Sequence, residues 1–136
     1  MSSRDNASAA RKALRRLAQQ LPQLLQKAMG VRGEVLAASL SKTSKVCGKP
    51  NCKCARGEKH VVYQLSWTEN GRRRSAHIRA GELAKLQAAV NRYRQLRHAR
   101  AELLKLSSEA AALIDALVEA LSIPLPDKRR EDNGGS

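Results

Sequence analysis

The sequence predicts an α+β fold: an N-terminal helix, a small three-stranded antiparallel β-meander carrying a cysteine-rich loop, and a long C-terminal helix that packs as a coiled-coil-like stalk. Three observations predict it. Apolar residues recur at alternating three- and four-residue steps near both ends of the chain, the signature of one helix face packed on another. Between them, a run of β-formers leads into Asn70-Gly71, the strongest short hairpin signal. All three cysteines and one of the three histidines fall between Cys47 and His60.

The first stripe is Ala7, Ala10, Leu14, Leu17, Leu21, Leu24 and Ala28, which predicts a helix over 7–30 with Ser8 as its N-cap. Residues 1–6 read as disordered. Pro22 predicts a kink or restart near Leu21, and Gly30 or Gly33 the end. An extended segment is expected within 34–46, although Val35-Leu36-Ala37-Ala38 could also prolong a helix. Val61–Trp67 is the second strand, with Tyr63, Leu65 and Trp67 on one face by the two-residue period. Arg72–Ile78 returns after the turn, so 33–79 forms one β module. From Gly81 to Leu121 no proline or glycine interrupts the pattern Leu83, Leu86, Val90, Tyr93, Leu96, Ala99, Leu103, Leu106, Ala110, Leu113, Leu117, Leu121. A helix of that length spans about 60 Å, so it needs the first helix, a second protomer, or both to cover it. Pro124 and Pro126 stop it, and 123–136 reads as a disordered tail. The whole of 7–122 reads as a single domain.

Composition narrows the class. The chain has 136 residues, no Phe, and only Trp67, Tyr63 and Tyr93 as aromatics, so its core rests on Leu, Ala and Val. No apolar run approaches a membrane span, and the N-terminus carries no apolar signal region. A cytoplasmic, non-membrane protein is expected. Net charge is +14, and residues 1–79 hold 17 Lys/Arg against 4 Asp/Glu. A basic surface concentrated in that way suits a polyanion, with nucleic acid the commonest.

Three thiols and an imidazole are the four ligands of a closed tetrahedral zinc site. Cys47, Cys52, Cys54 and His60 follow C-x4-C-x-C-x5-H, in a segment whose Gly, Pro and Asn allow sharp turns. In a reducing compartment an odd cluster of cysteines points to metal rather than disulfides. A structural Zn²⁺ knuckle would clamp the strand ends, and its binding energy would be folding energy. A redox thiol, or cysteines packed as small hydrophobes, are the alternatives. Lys49, Lys53, Arg56 and Lys59 surround the ligands, and one or two of them would offset the negative charge of a three-thiolate zinc centre. With Lys42, Lys45 and the hairpin's Arg72, Arg73 and Arg74, they are expected to form a basic edge that contacts phosphates; the alternative is a solvated face. Trp67 and Tyr63 could stack on bases but fit better as cover for a small sheet. With every ligand position taken, the metal has no site for chemistry. No phosphate-binding glycine loop, nucleophile motif or carboxylate pair is present, so no enzyme is expected.

The run Cys47-Gly48-Lys49-Pro50-Asn51-Cys52-Lys53-Cys54, with Gly57, His60, Tyr63 and the Asn-Gly hairpin, resembles a family of short bacterial proteins, a domain of unknown function with the pattern CGKPNCxCxxGxxH. The resemblance covers about residues 33–105. It departs after the ligands, where similar sequences have His-Gly-Pro-Tyr and this chain has His60-Val61-Val62-Tyr63. The resemblance implies a zinc knuckle between helices and a setting beside transposases and other mobile-element genes. The expected function is therefore a non-enzymatic, zinc-stabilised nucleic-acid-binding protein, with DNA ahead of RNA, serving a mobile element. The alternative is an interaction module: a coiled-coil homodimer acting as adaptor for a partner enzyme.

Overall fold

Ser2 sets where the first helix begins. Its Oγ accepts from the backbone N–H of Asp5 at 3.2 Å, and its carbonyl accepts the first helical bond, from Asn6. This is an N-cap with an acidic residue three places on, favourable at the positive end of a helix. The computed structural model describes residues 2–45 and 60–126, and its helix α1 spans Ser3–Met29. Residues 3–6, expected to be disordered, are thus the first turn, and Ser2 rather than Ser8 is the cap. The helix also runs through Pro22 without the restart expected near Leu21. Proline forfeits its own bond, to the Ala18 carbonyl. Covered stripe residues on both sides, Leu17 and Leu24, hold the helix across that gap.

Strands β1 (Ser39–Lys45), β2 (His60–Glu69) and β3 (Arg72–Ile78) follow, then a 3-10 turn over Ala80–Glu82 and helix α2 (Leu83–Leu121). The α+β order expected from sequence is therefore present: helix, three-stranded antiparallel sheet, long helix. Val35–Ala38 is neither strand nor helix. The Leu36 N–H instead donates to the carbonyl of Ala89 in α2, at 3.1 Å. The sheet order is β1-β2-β3. Asn70 and Gly71 both have positive φ, 51° and 77°. That is the left-handed pair a two-residue hairpin turn requires. Glu69 and Arg72 close the turn as register partners, and Lys45 pairs with His60 at the other end of the sheet.

The chain divides into two compact units. One joins α1 up to Leu25 with α2 from Ala101; the other is Gln26–Arg100. In the first, Ser3, Asn6, Ala9 and Ala10 share a cavity with Leu113, Ala116, Glu119 and Ala120. The start of α1 thus lies beside the end of α2, an antiparallel pair. Ala7 and Ala10 are its buried residues, small side chains that permit close approach of the backbones. In the second unit Val90 is fully buried, with Ala89 and Ala99 close to it in burial. Both predicted stripes are the covered faces of their helices, apart from Leu21 at the margin and Leu121, which is 57% exposed. The core is thin: among the described residues only five apolar side chains are buried. A core that small leaves stability dependent on local devices such as caps, turns and any bound metal.

Candidate metal loop and nucleic-acid interface

Cys47, Cys52 and Cys54 lie outside the described residues, as do Lys49, Lys53, Arg56 and Lys59. The backbone that flanks them is described. The segment leaves β1 after Lys45 and re-enters at His60, the first residue of β2. Lys45 and His60 are Cα partners in the antiparallel ladder, which sets the two ends about 5 Å apart. His60, the fourth expected ligand, is thus built into the strand end where the loop closes. Among the described residues no group of three His, Cys, Asp or Glu side chains could hold a metal ion. The donor set of 47–60 is the one sequence with that chemistry.

The expected basic residues do not converge as one edge. In a meander, the loop joining the first two strands and the turn joining the last two necessarily sit at opposite ends. Arg72, Arg73 and Arg74 follow the Asn70-Gly71 turn, whereas the cysteine segment leaves from the far end of β2. The length of β2 separates them by about 30 Å. Within the triplet, sides alternate. Arg74 stands opposite Trp67 and Arg72 opposite Glu69, on one face; Arg73 stands opposite Thr68, on the other. All three are exposed. Arg74 Nε is 3.2 Å from Glu69 Oε2, so one of the three cations has a carboxylate partner at the surface. Lys42, also exposed, sits on β1 opposite Tyr63, toward the loop end.

Two residues gain importance that their sequence context did not give them. Arg92 was expected on the wet face of the long helix. Its Nη1 donates to the Glu34 carbonyl at 3.0 Å, and its guanidinium lies against Gly33. Tyr93 belongs to the predicted stripe, yet it shares a cleft with Trp67 and Arg73. Only long-range packing decides either outcome. The signal available in advance was Gly33, a glycine that needs positive φ (103°).

No helix among the described residues is long and apolar enough to cross a membrane. No curated protein and no solved structure matches the chain. A family described as a domain of unknown function, DUF6788, matches residues 8–88. That span begins one turn into α1, takes in the cysteine segment and all three strands, and ends in the second turn of α2. It covers more than half of the chain. The chain belongs to the DUF6788 family.

Proposed function

We propose that this protein is a non-enzymatic nucleic-acid-binding protein, stapled by a structural Zn²⁺ on Cys47, Cys52, Cys54 and His60, that contacts phosphates mainly through the hairpin arginines. The observation that carries the reading is the exposed Arg72-Arg73-Arg74 strand on a chain of net charge +14. Guanidinium groups on a two-stranded ribbon present rigid, planar donors to phosphate oxygens. No recognition helix of a familiar DNA-reading type occurs in the sequence, so contact to the backbone would outweigh base readout. The Lys45–His60 pairing supports the zinc assignment, because it holds the loop ends at the separation a four-ligand knuckle needs. The family resemblance of the cysteine motif suggests that the setting is a mobile element. The test is duplex DNA binding by the triple variant Arg72→Glu, Arg73→Glu, Arg74→Glu at several salt concentrations. The parent shows a steep salt dependence, and the variant loses about 0.9 in log–log slope per phosphate contact removed. If the folded variant binds as tightly as the parent, the reading fails.

A second reading, self-association through the helices, is favoured by a separate observation. On α2, Leu104, Ile114, Val118 and Leu121 are each more than half exposed. With Ser107 and Ala111 they complete a second three-four stripe. Over 101–121 the helix carries Glu102, Glu109, Asp115 and Glu119 against Lys105 alone, while α1 carries Arg4, Arg11, Lys12, Arg15 and Arg16 against Asp5. The basic α1 of a second copy complements that acidic apolar strip, as four-helix assemblies do. Sedimentation of the parent and of Val118→Glu decides it: a dimer that the variant converts to monomer supports the reading, and a monomeric parent ends it.

A further inference from the structure

At its hairpin end β2 outruns β1. The ladder between them stops at Ser39 and Ser66, while Trp67, Thr68 and Glu69 pair only with β3. The open side holds a cleft of about 340 Å³, lined by Trp67, Tyr93, Arg73, Ser39, Ser66 and Thr68. Trp67 and Tyr93 are half-buried, so their rings are fixed in place but still reached from solvent, and Arg73 is exposed at the rim. Two aromatic rings, three hydroxyls and one guanidinium make a specific chemical combination. It suits a flat heteroaromatic ring that carries hydrogen-bonding edges and an attached anion. A buried sheet cover would need neither the hydroxyls nor the arginine.

We infer that this cleft takes one unpaired nucleotide, its base stacked on Trp67 and Tyr93 and its phosphate on Arg73. The volume lies at the small end of ligand-sized cavities, enough for a single base but not for a base pair. The inference rests on the nucleic-acid reading above and adds to it a preference for unpaired over duplex substrate. Every base has a π-face, so such a platform binds single strands with little regard to sequence. Arg72, on the same strand, would reach the next phosphate. The same chemistry could be met by a free mononucleotide or by one nucleotide of a single strand, and the two are separated by the probe.

Trp67 is the only tryptophan in the chain, so its emission reports the cleft alone. The full-length zinc-loaded protein is titrated with single-stranded oligothymidine, with a duplex of equal length, and with thymidine monophosphate. Anisotropy of labelled oligonucleotides is followed in parallel. Saturable quenching by the single strand, with little by the duplex, is expected; saturable quenching by the monophosphate at similar concentration assigns the cleft to a free nucleotide instead. Trp67→Leu is expected to weaken single-strand binding about 5- to 100-fold and duplex binding less than about two-fold. Trp67→Phe, which keeps a ring, restores most of the loss, and Tyr93→Leu repeats it if Trp67→Leu does not fold. Binding of single strands by anisotropy with unchanged Trp67 emission overturns the inference and leaves phosphate binding standing. Absence of binding to any probe overturns both.

Discussion

The Nη1 of Arg92 donates to the carbonyl of Glu34 at 3.0 Å, which ties the chain leading into the sheet to the first turns of α2. The guanidinium passes so close to Gly33 that an added Cβ would sit 2.8 Å from Arg92 Cζ. Gly33→Ala therefore meets two obstacles, a positive φ and a displaced arginine. Gly71, also at positive φ, has nothing within 4 Å of such a Cβ, so Gly71→Ala meets only the first. The expected losses are about 1 kcal/mol for Gly71→Ala and about 2 kcal/mol or more for Gly33→Ala. In thermal melts that is roughly 5–10 °C for Gly33→Ala. Arg92→Ala in the Gly33→Ala background recovers part of the loss if the arginine is the obstacle.

Two valines on one helix test how thin the core is. Val90 is 0% exposed and Val118 is 61% exposed. Val90→Ala is expected to cost about 2 kcal/mol, from lost burial and the cavity left behind. Val118→Ala stays within about 0.5 kcal/mol in the monomer. Urea midpoints of the two variants check the contrast. A dimer that covers Val118 would raise its cost and make the midpoint depend on protein concentration.

Glu69 holds one of the hairpin arginines at the surface. The pair is exposed on both sides, so its net contribution to stability is small, about 0–1 kcal/mol. Glu69→Gln is expected to leave the melting temperature nearly unchanged while freeing Arg74 and removing a negative charge from the phosphate-facing strand. Polyanion affinity rises and the salt slope steepens. Unchanged affinity would mean that Arg74 takes no part in binding.

The metal assignment predicts one zinc per chain by elemental analysis of protein purified without added metal. Cys52→Ser and Cys54→Ser are each expected to lose that stoichiometry. Removal of zinc with a strong chelator lowers the melting temperature, because the binding energy of such a site is folding energy. Protein that carries no metal yet melts at the same temperature as a zinc-supplemented sample would return the cysteines to the thiol reading.

The elements with a local cause were legible in the sequence. The stripes from Ala7 to Ala28 and from Leu83 to Leu117 follow from helical periodicity, and Asn70-Gly71 from the backbone angles that only a few residues accept. What the sequence hid depends on partners distant along the chain or on competition between weak effects. Ser2 and Ser8 are both plausible caps, and the choice turns on whether the first turn is worth forming. The proline rule names a penalty at Pro22 without saying whether neighbouring contacts outweigh it. Arg92 looked solvated because nothing nearby in sequence hints that Glu34 will lie against it. The hairpin arginines and the cysteine segment are close in number, yet antiparallel strands carry them to opposite ends of the sheet. For the candidate site, the ligand types were legible and the partition of basic residues was not.

The Lys45–His60 pair has one more consequence. A segment that leaves and returns through adjacent rungs of a ladder is a cassette: its content can change without moving the rest of the scaffold. Replacing residues 46–59 by a two-residue Asn-Gly turn would leave every strand partner in place. Relatives are free to vary length and chemistry there, while the hairpin at the other end evolves on its own terms.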